Sequence, residues 1–558
     1  MKLGEWEAAA VDPGEGPPTT DEWVAVDSLR PSRFAGEHAV AYRTSFADPR
    51  DGAGRALLEL HGLSPRGRVW LNGDFYGTHD TPFTPFRSVF EPADRNELLV
   101  ECRTPENRLD DAGETSPANE PTIPGVRRAS VEPTPENVIT DLTIRHYDTD
   151  DGSGVNAIVT VDAGTDLRDR IELSLRSADT DGMSALSHVG VTADAGDRVT
   201  VRGQLTVRDP DRWWPRGFGA QNRYTVHAAL DESERTATTG FQTVESRSDG
   251  IVVNGTRVPI RGLCVRSPTP ETVERALAAN ATLVRPVGAV PPPAFYDAAD
   301  EAGLLICQDV PLDPGGLDVE RPRRVARTLG GAYGHHPSLA GFGVRDDAAR
   351  FESIDDEGDR YVLRATSGGD PAATATAAAE ALPNDVPAFV FPGFDAGPEE
   401  VSSPTAWLLD GYAGADDPLD AGTHTRYVVP GADADERAER AGHALERLRE
   451  SGRPIVTALP PATDDNDTDP IETAFAPVKA FLDESTPGET RAVVVNDTPE
   501  PATGDLAWTA GDADGALSVE IGPLSRDTVG EIDVPIEAHR VELSLSIDDH
   551  VVTTTVDR

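Results

Sequence analysis

A multidomain chain, with β-sandwiches around one (β/α)8 barrel, is predicted by three observations. Apolar and polar residues alternate at period two through about the first 245 residues and again over the last 75 or so. Between those regions, short unbroken apolar runs alternate with helix-forming stretches. The 558 residues also exceed what one hydrophobic core organises, and at roughly 100–200 residues per domain they imply about three to five units.

Residues 1–125 supply the first sandwich. AVAYRTSF, ALLELHGL, RVWLNGDFYG and ELLVECRT read as strands, and Asn72-Gly73 marks a tight hairpin between two of them. A proline-rich stretch, Pro117–Pro124, reads as a linker. Residues 126–245 repeat the pattern in VITDLTIRHYD, NAIVTVDAG, RIELSLRSA, RVTVRGQLTV and RYTVHAAL, spaced like the strands of a second sandwich. The acidic segment Asp148–Gly154 superficially matches a calcium loop. Its twelfth position is Val159 rather than Glu, so it reads as a hairpin turn.

Residues 246–484 carry the barrel pattern. Eight apolar runs follow in order: RVPIRGLCV, TLVRPVG, GLLICQDV, SLAGFGV, VPAFVF, TAWLLDGY, TRYVVPG and RPIVTALP. PETVERALAAN, PPAFYDAADEAG, PAATATAAAEAL and ADERAERAGHALERLRESG are helix candidates between them. Runs without alternation are buried on both faces, as in a parallel sheet, and eight of them suit a closed barrel of about 235 residues. Residues 485–558 return to β pattern in RAVVVNDT, GDLAWTA, GALSVEIG and HRVELSLSIDDHVVTTTV, a small closing sandwich.

Composition narrows the function classes. Ninety-seven acidic against 50 basic residues give a net charge of −47, and Lys2 and Lys479 are the only lysines. Such a surface repels itself at ordinary ionic strength, whereas in molar salt the Debye length falls to about 3 Å. Because the acids are spread along the whole chain, adaptation to a high-salt cytosol explains them better than an acidic docking surface. No basic stripe exists, which argues against nucleic acid as a partner. Cys102, Cys264 and Cys307 are too widely spaced for a zinc or disulfide framework. The opening MKLGEWEAAAVDP lacks an apolar core and no run of 18 apolar residues occurs, so a cytoplasmic protein with no membrane partner is expected. No cofactor or metal is expected, and homo-oligomerisation stays open.

Five segments, in order, resemble glycoside hydrolase family 2. RVWLNGDFYGTHDTPFTPF (68–86) resembles the V-W-L-N-G segment of that family's N-terminal sugar-binding domain. Trp213-Trp214, with Pro215, Gly217 and Tyr224, is similar to the W-W-P signature of its immunoglobulin-like domain. GFQTVESRSDGIVVNGTRVPIRGLCV (240–265) resembles its entry into the barrel, AFYDAADEAGLLICQDVP (294–311) its third strand, and His336-Pro337-Ser338 the opening of its fourth. The resemblance implies a galactose-binding-like jelly roll, an immunoglobulin-like sandwich and a TIM barrel. It also implies hydrolysis of O-glycosyl bonds in β-linked sugars, with carbohydrate as the partner. The β-mannosidase and β-galactosidase-like branches fit equally well.

Retaining glycosidases use two carboxyl groups about 5–5.5 Å apart, one as acid/base and one as nucleophile. By resemblance, HPSLAGFGVRDD (336–347) puts Asp347 at the acid/base position and Asp346 where the family has the Asn that faces the sugar 2-hydroxyl. Pro430 falls at the nucleophile position and cannot attack a sugar. Asp410 is the candidate second carboxylate, with Asp395 and Asp433 as alternatives. Arg285 matches the family's strand-two Arg, and Asp309 and His336 complete the expected substrate-binding set. Asp is one methylene shorter than Glu, and misplacement of about 1 Å can cost about 100-fold in rate. A degraded glycosidase is therefore expected, beside two alternatives: a carbohydrate-binding pseudoenzyme, or a structural module of a larger assembly.

Overall fold

The structure is a computed structural model. It describes residues 1–103, 124–310, 320–345 and 469–557 apart from short gaps, together with the strands 349–353, 361–365, 388–391 and 455–458. It shows a multidomain, mostly β protein.

Period-two alternation builds the first sandwich directly. Val40 and Tyr42, Leu58 and Leu60, and Leu98, Val100 and Cys102 all face one buried cluster. They come from two antiparallel sheets. The six-stranded sheet runs Val24–Val26, Trp6–Ala10, Ala39–Ala47, Arg95–Arg103, Arg66–Leu71, Asp74–His79. The three-stranded sheet sets Arg55–His61 between Phe86–Phe90 and Arg128–Thr134. Asn72 and Gly73 turn between Arg66–Leu71 and Asp74–His79 with φ of 53° and 88°, the left-handed pair a tight hairpin requires. Beyond the predicted boundary at residue 125, Arg128–Thr134 still pairs along Arg55–His61 and buries Ala129 and Val131 in the same core.

The second sandwich stacks Asn137–Thr149, Gly152–Ala163 and Arg198–Val207 on a four-stranded sheet ordered Met183–Ala193, Leu167–Ser177, Tyr224–Leu230, Ser233–Thr239. Asp148 lies at the end of a hairpin whose register pairs Thr149 with Gly152, and its carboxylate accepts the Ser153 hydroxyl. The C-terminal sandwich begins earlier than its sequence pattern suggested. Val478–Asp483 pairs with Arg491–Asn496 and places Ala480 and Leu482 in that core.

Between the sandwiches lies a six-stranded parallel sheet, ordered Ala388–Phe391, Leu339–Arg345, Leu305–Asp309, Leu283–Pro286, Arg261–Val265, Ile455–Ala458. These are the first, second, third, fourth, fifth and eighth of the eight predicted runs, and the sixth and seventh lie outside the described residues. A hairpin of Ala349–Ser353 with Tyr361–Ala365, not anticipated from the sequence, follows the fourth.

Helix α1 (Pro270–Ala278) starts at a capping box formed by Thr269 and Thr272, with Pro270 in its first turn. Helix α2 (Pro293–Ala302) ends on Gly303, whose φ of 76° is left-handed. A Cβ at Gly303 would also lie 2.6 Å from the Arg216 nitrogen. Helix α3 (Glu320–Tyr333) leads into Leu339–Arg345. Among the described residues no helix is long and apolar enough to cross a membrane.

Alternation now separates the two faces of the parallel sheet. Val284, Ile306 and Phe342 pack with the helix residues Val273, Phe295, Ala299 and Leu329. Leu283, Leu305, Cys307 and Ala340 turn the other way, onto Trp213 and a short meander that supplies Ile251, Val253 and Val258. Trp213 is fully buried and its indole N–H donates to the Asp300 carbonyl at 2.9 Å. It is a packing anchor at a junction rather than a sugar platform.

Candidate functional site

In a parallel sheet every strand delivers its C-terminal residue to one edge, where ligands are usually bound. Two of the expected residues meet there. Arg285 follows Leu283 at period two, and Asp309 follows Leu305 and Cys307, so both project from the face opposite the helices. Arg285 Nε donates to Asp309 Oδ1 at 2.7 Å and Arg285 Nη2 to Oδ2 at 3.1 Å. Each residue is 1% exposed. This two-pronged contact fixes the orientation of both groups, because the planar guanidinium matches the carboxylate in geometry as well as charge.

The neighbours of the pair are chemically quiet. Gln308 points to the helix face, where it accepts the Tyr296 hydroxyl at 2.7 Å. Burial pushes the Cys307 thiol up to about 12, so it stays a neutral S–H at neutral pH and offers no thiolate nucleophile. Cys102 and Cys307 are both buried and in no disulfide among the described residues.

His336 belongs elsewhere. It stands before Leu339, at the opposite end of its strand from Arg345, and does not meet Arg285 and Asp309. Its Nδ1 donates to Asp300 Oδ2 at 2.7 Å, and the Ser338 backbone N–H donates to Asp300 Oδ1 at 3.0 Å. The ring stacks on Tyr296, with centroids 5.0 Å apart. Asp300 was not expected as a partner, although a signal existed: Tyr296 and Asp300 are four apart on α2 and share its buried face. The carboxylates of Asp297 and Asp300 and the His336 ring bring atoms of ligand type within 4.8 Å of one another. Hydrogen bonds already engage Asp300 and His336, so this group serves to join α2 to the turn before Leu339–Arg345.

Asp346, Asp347 and Asp410 lie outside the described residues, as do Pro430, Asp395 and Asp433. In sequence, Asp346 and Asp347 come directly after Arg345, the last residue of Leu339–Arg345. That strand is the neighbour of the one ending in Asp309, with Asp309 registered against Gly343.

Residues 137–243 match the profile of Glycosyl hydrolases family 2. Beta-mannosidase A of Aspergillus aculeatus is 29% identical over 215 residues, covering 30% of this chain and 22% of that protein. Its counterpart from Aspergillus terreus is 28% identical over 191 residues, covering 25% and 20%. The matched stretch thus spans about a fifth of each relative's length. A β-D-mannosidase structure from Dictyoglomus thermophilum superposes with a TM-score of 0.71 at 16% identity, over 100% of this chain and 89% of that one. An exo-chitosanase from Amycolatopsis orientalis gives 0.71 at 14% identity, over 100% and 84%. At these identities the likeness is one of fold.

Proposed function

We propose, from the premise that this chain belongs to the glycosyl hydrolases of family 2, that it binds β-linked sugars at the C-terminal edge of its parallel sheet and cleaves them slowly. The observation that carries the reading is the Arg285–Asp309 pair, set at adjacent strand ends beside the strand that leads into Asp346 and Asp347. The strand order supports closure into a TIM barrel. The eighth predicted run pairs in parallel with the first, and the sixth and seventh would bridge from the eighth to the fifth. Arg285 and Asp309 would then line the barrel's mouth, on its inner face.

The reaction follows from the residues available. Asp347, at the acid/base position, would protonate the leaving glycosidic oxygen. Arg285 would hold the Asp309 carboxyl group aimed, as a hydroxyl acceptor for the sugar. His336 acts from below as a positioning residue for the strand through Asp300, rather than as a ligand contact. A second carboxylate within about 5–5.5 Å of Asp347 would give retention, and one at about 6.5–9.5 Å inversion. Asp410 is the residue assigned to that place. The relatives include β-mannosidases and an exo-chitosanase acting on glucosamine-type sugars, so mannose- and glucosamine-configured β-glycosides are the first substrates to test.

A second reading has its own support. Pro430 stands at the nucleophile position, which favours binding without turnover. Aryl β-glycosides in molar potassium chloride separate the two. Slow hydrolysis lowered at least about 100-fold by Asp347→Ala supports cleavage, on the scale of losing a general acid. Hydrolysis that survives the substitution removes Asp347 from the mechanism.

A further inference from the structure

Three imidazoles gather where the second sandwich meets the turn before Leu339–Arg345, and the proposed sugar chemistry uses none of them as a ligand. His146 comes from Asn137–Thr149, and His335 and His336 from the turn after α3. Thr239, at the end of Ser233–Thr239, bridges the two bodies: its hydroxyl donates to the His335 carbonyl at 2.6 Å. That bond consumes the only hydroxyl proton, so His146 Nε2, 2.8 Å from the same oxygen, must donate to it. His146 also meets Phe241 edge-on, with centroids 5.8 Å apart. The His335 and His336 rings are 4.3 Å apart between centroids.

The surroundings of His335 favour an uncharged ring. The groups whose charges act on His335 are His336 and His146. From α2, Tyr296, Asp297 and Asp300 face the cluster, and both Asp300 oxygens are already taken by His336 and the Ser338 N–H. From α3, Tyr333 stacks on Tyr296 and lies 6.2 Å from the His336 ring, centroid to centroid. Arg145, beside His146, reaches α3 with Nη2 3.7 Å from where a Gly331 Cβ would stand. A proton on His335 therefore adds a cation beside two other imidazoles.

We propose that this histidine seam is an acid-sensitive joint, which holds the second sandwich against the parallel-sheet unit at neutral pH and loosens as the solution becomes mildly acidic. Dense packing holds the His335 pKa well below the ordinary imidazole value. The joined state then binds fewer protons than the opened one. Its stabilisation is complete above about pH 6.5, the value of a free imidazole, and is lost as pH falls below it.

Hydrogen exchange of the full chain in molar potassium chloride, at pH 7.5 and 5.0 and corrected for intrinsic rates, tests this. Segments 139–147 and 334–342 are expected to lose up to about 30-fold in protection on acidification, the effect of one proton over the roughly 1.5 pH units between a free imidazole and pH 5.0. The C-terminal strand 502–510 is expected to keep its protection. His335→Gln is expected to abolish the difference. Unchanged protection in the seam, a loss shared equally by 502–510, or an undiminished loss in His335→Gln would each overturn the proposal. If that variant does not fold, the wild-type comparison between seam and 502–510 decides alone.

Discussion

Asp309→Ala is expected to lower the unfolding free energy by about 3–5 kcal/mol, the cost of leaving one partner of a buried ion pair uncompensated. Arg285 is 1% exposed and holds both oxygens of Asp309, so removing the carboxylate takes the two-pronged counter-ion from a guanidinium buried away from water. Replacing both residues by apolar ones of similar volume, Arg285→Met with Asp309→Leu, is expected to recover most of the loss, because no charge is then buried. Denaturant titration in constant salt reads both variants. A loss below about 1 kcal/mol for Asp309→Ala, the range of exposed pairs, would show that the pair is not desolvated. The comparison also bears on function. If the apolar double variant is as stable as the wild type yet no longer binds sugar, the pair is kept for its ligand rather than for the fold.

Trp213→Ala is expected to be of similar size, about 3–5 kcal/mol for loss of a buried large aromatic. Its ring fills the space between the meander residues Ile251, Val253 and Val258 and the strand residues Leu283, Leu305 and Ala340. The truncation also orphans the Asp300 carbonyl that accepts the indole N–H, while Asn254 Nδ2 still reaches the backbone carbonyl of residue 213. Trp213→Phe keeps most of the volume and loses the hydrogen bond. Its smaller cost, about 1–3 kcal/mol for a buried acceptor left unmade, would separate packing from bonding. Thermal unfolding that leaves Trp213→Ala within about 1 kcal/mol of the wild type would contradict the role of Trp213 as the anchor of this junction.

Local pattern made the strands and hairpins legible. Asn72-Gly73 could be placed from two residues, because few pairs tolerate two left-handed conformations in succession. The run holding Leu283 and Val284 was legible as a strand buried on both faces, while the separate clusters those two residues join are visible only in the packing. Pairing partners were not legible, since register between distant strands leaves no local trace. Arg128–Thr134 alternates like any strand of the second sandwich, yet it joins Arg55–His61 of the first. Val478–Asp483 reads as the end of the barrel pattern and pairs onward into the C-terminal sheet.

The candidate site divides the same way. Strand ends are visible in sequence, so Arg285 and Asp309 could be placed at one edge. That they would close on each other depends on the stagger between two parallel strands. His336, expected in the substrate-binding set, is the buried partner of Asp300, a contact across 36 positions. The net charge of −47 was legible from composition alone, because it requires no geometry.

Calorimetric titration of the full chain in molar potassium chloride, with β-linked oligosaccharides of mannose and glucosamine, tests sugar recognition most directly. Saturable binding of at least one of them, weakened in Asp347→Ala, is the expected result. Absence of binding and of turnover for every sugar, with circular dichroism confirming a folded chain, would contradict a carbohydrate site at this sheet edge.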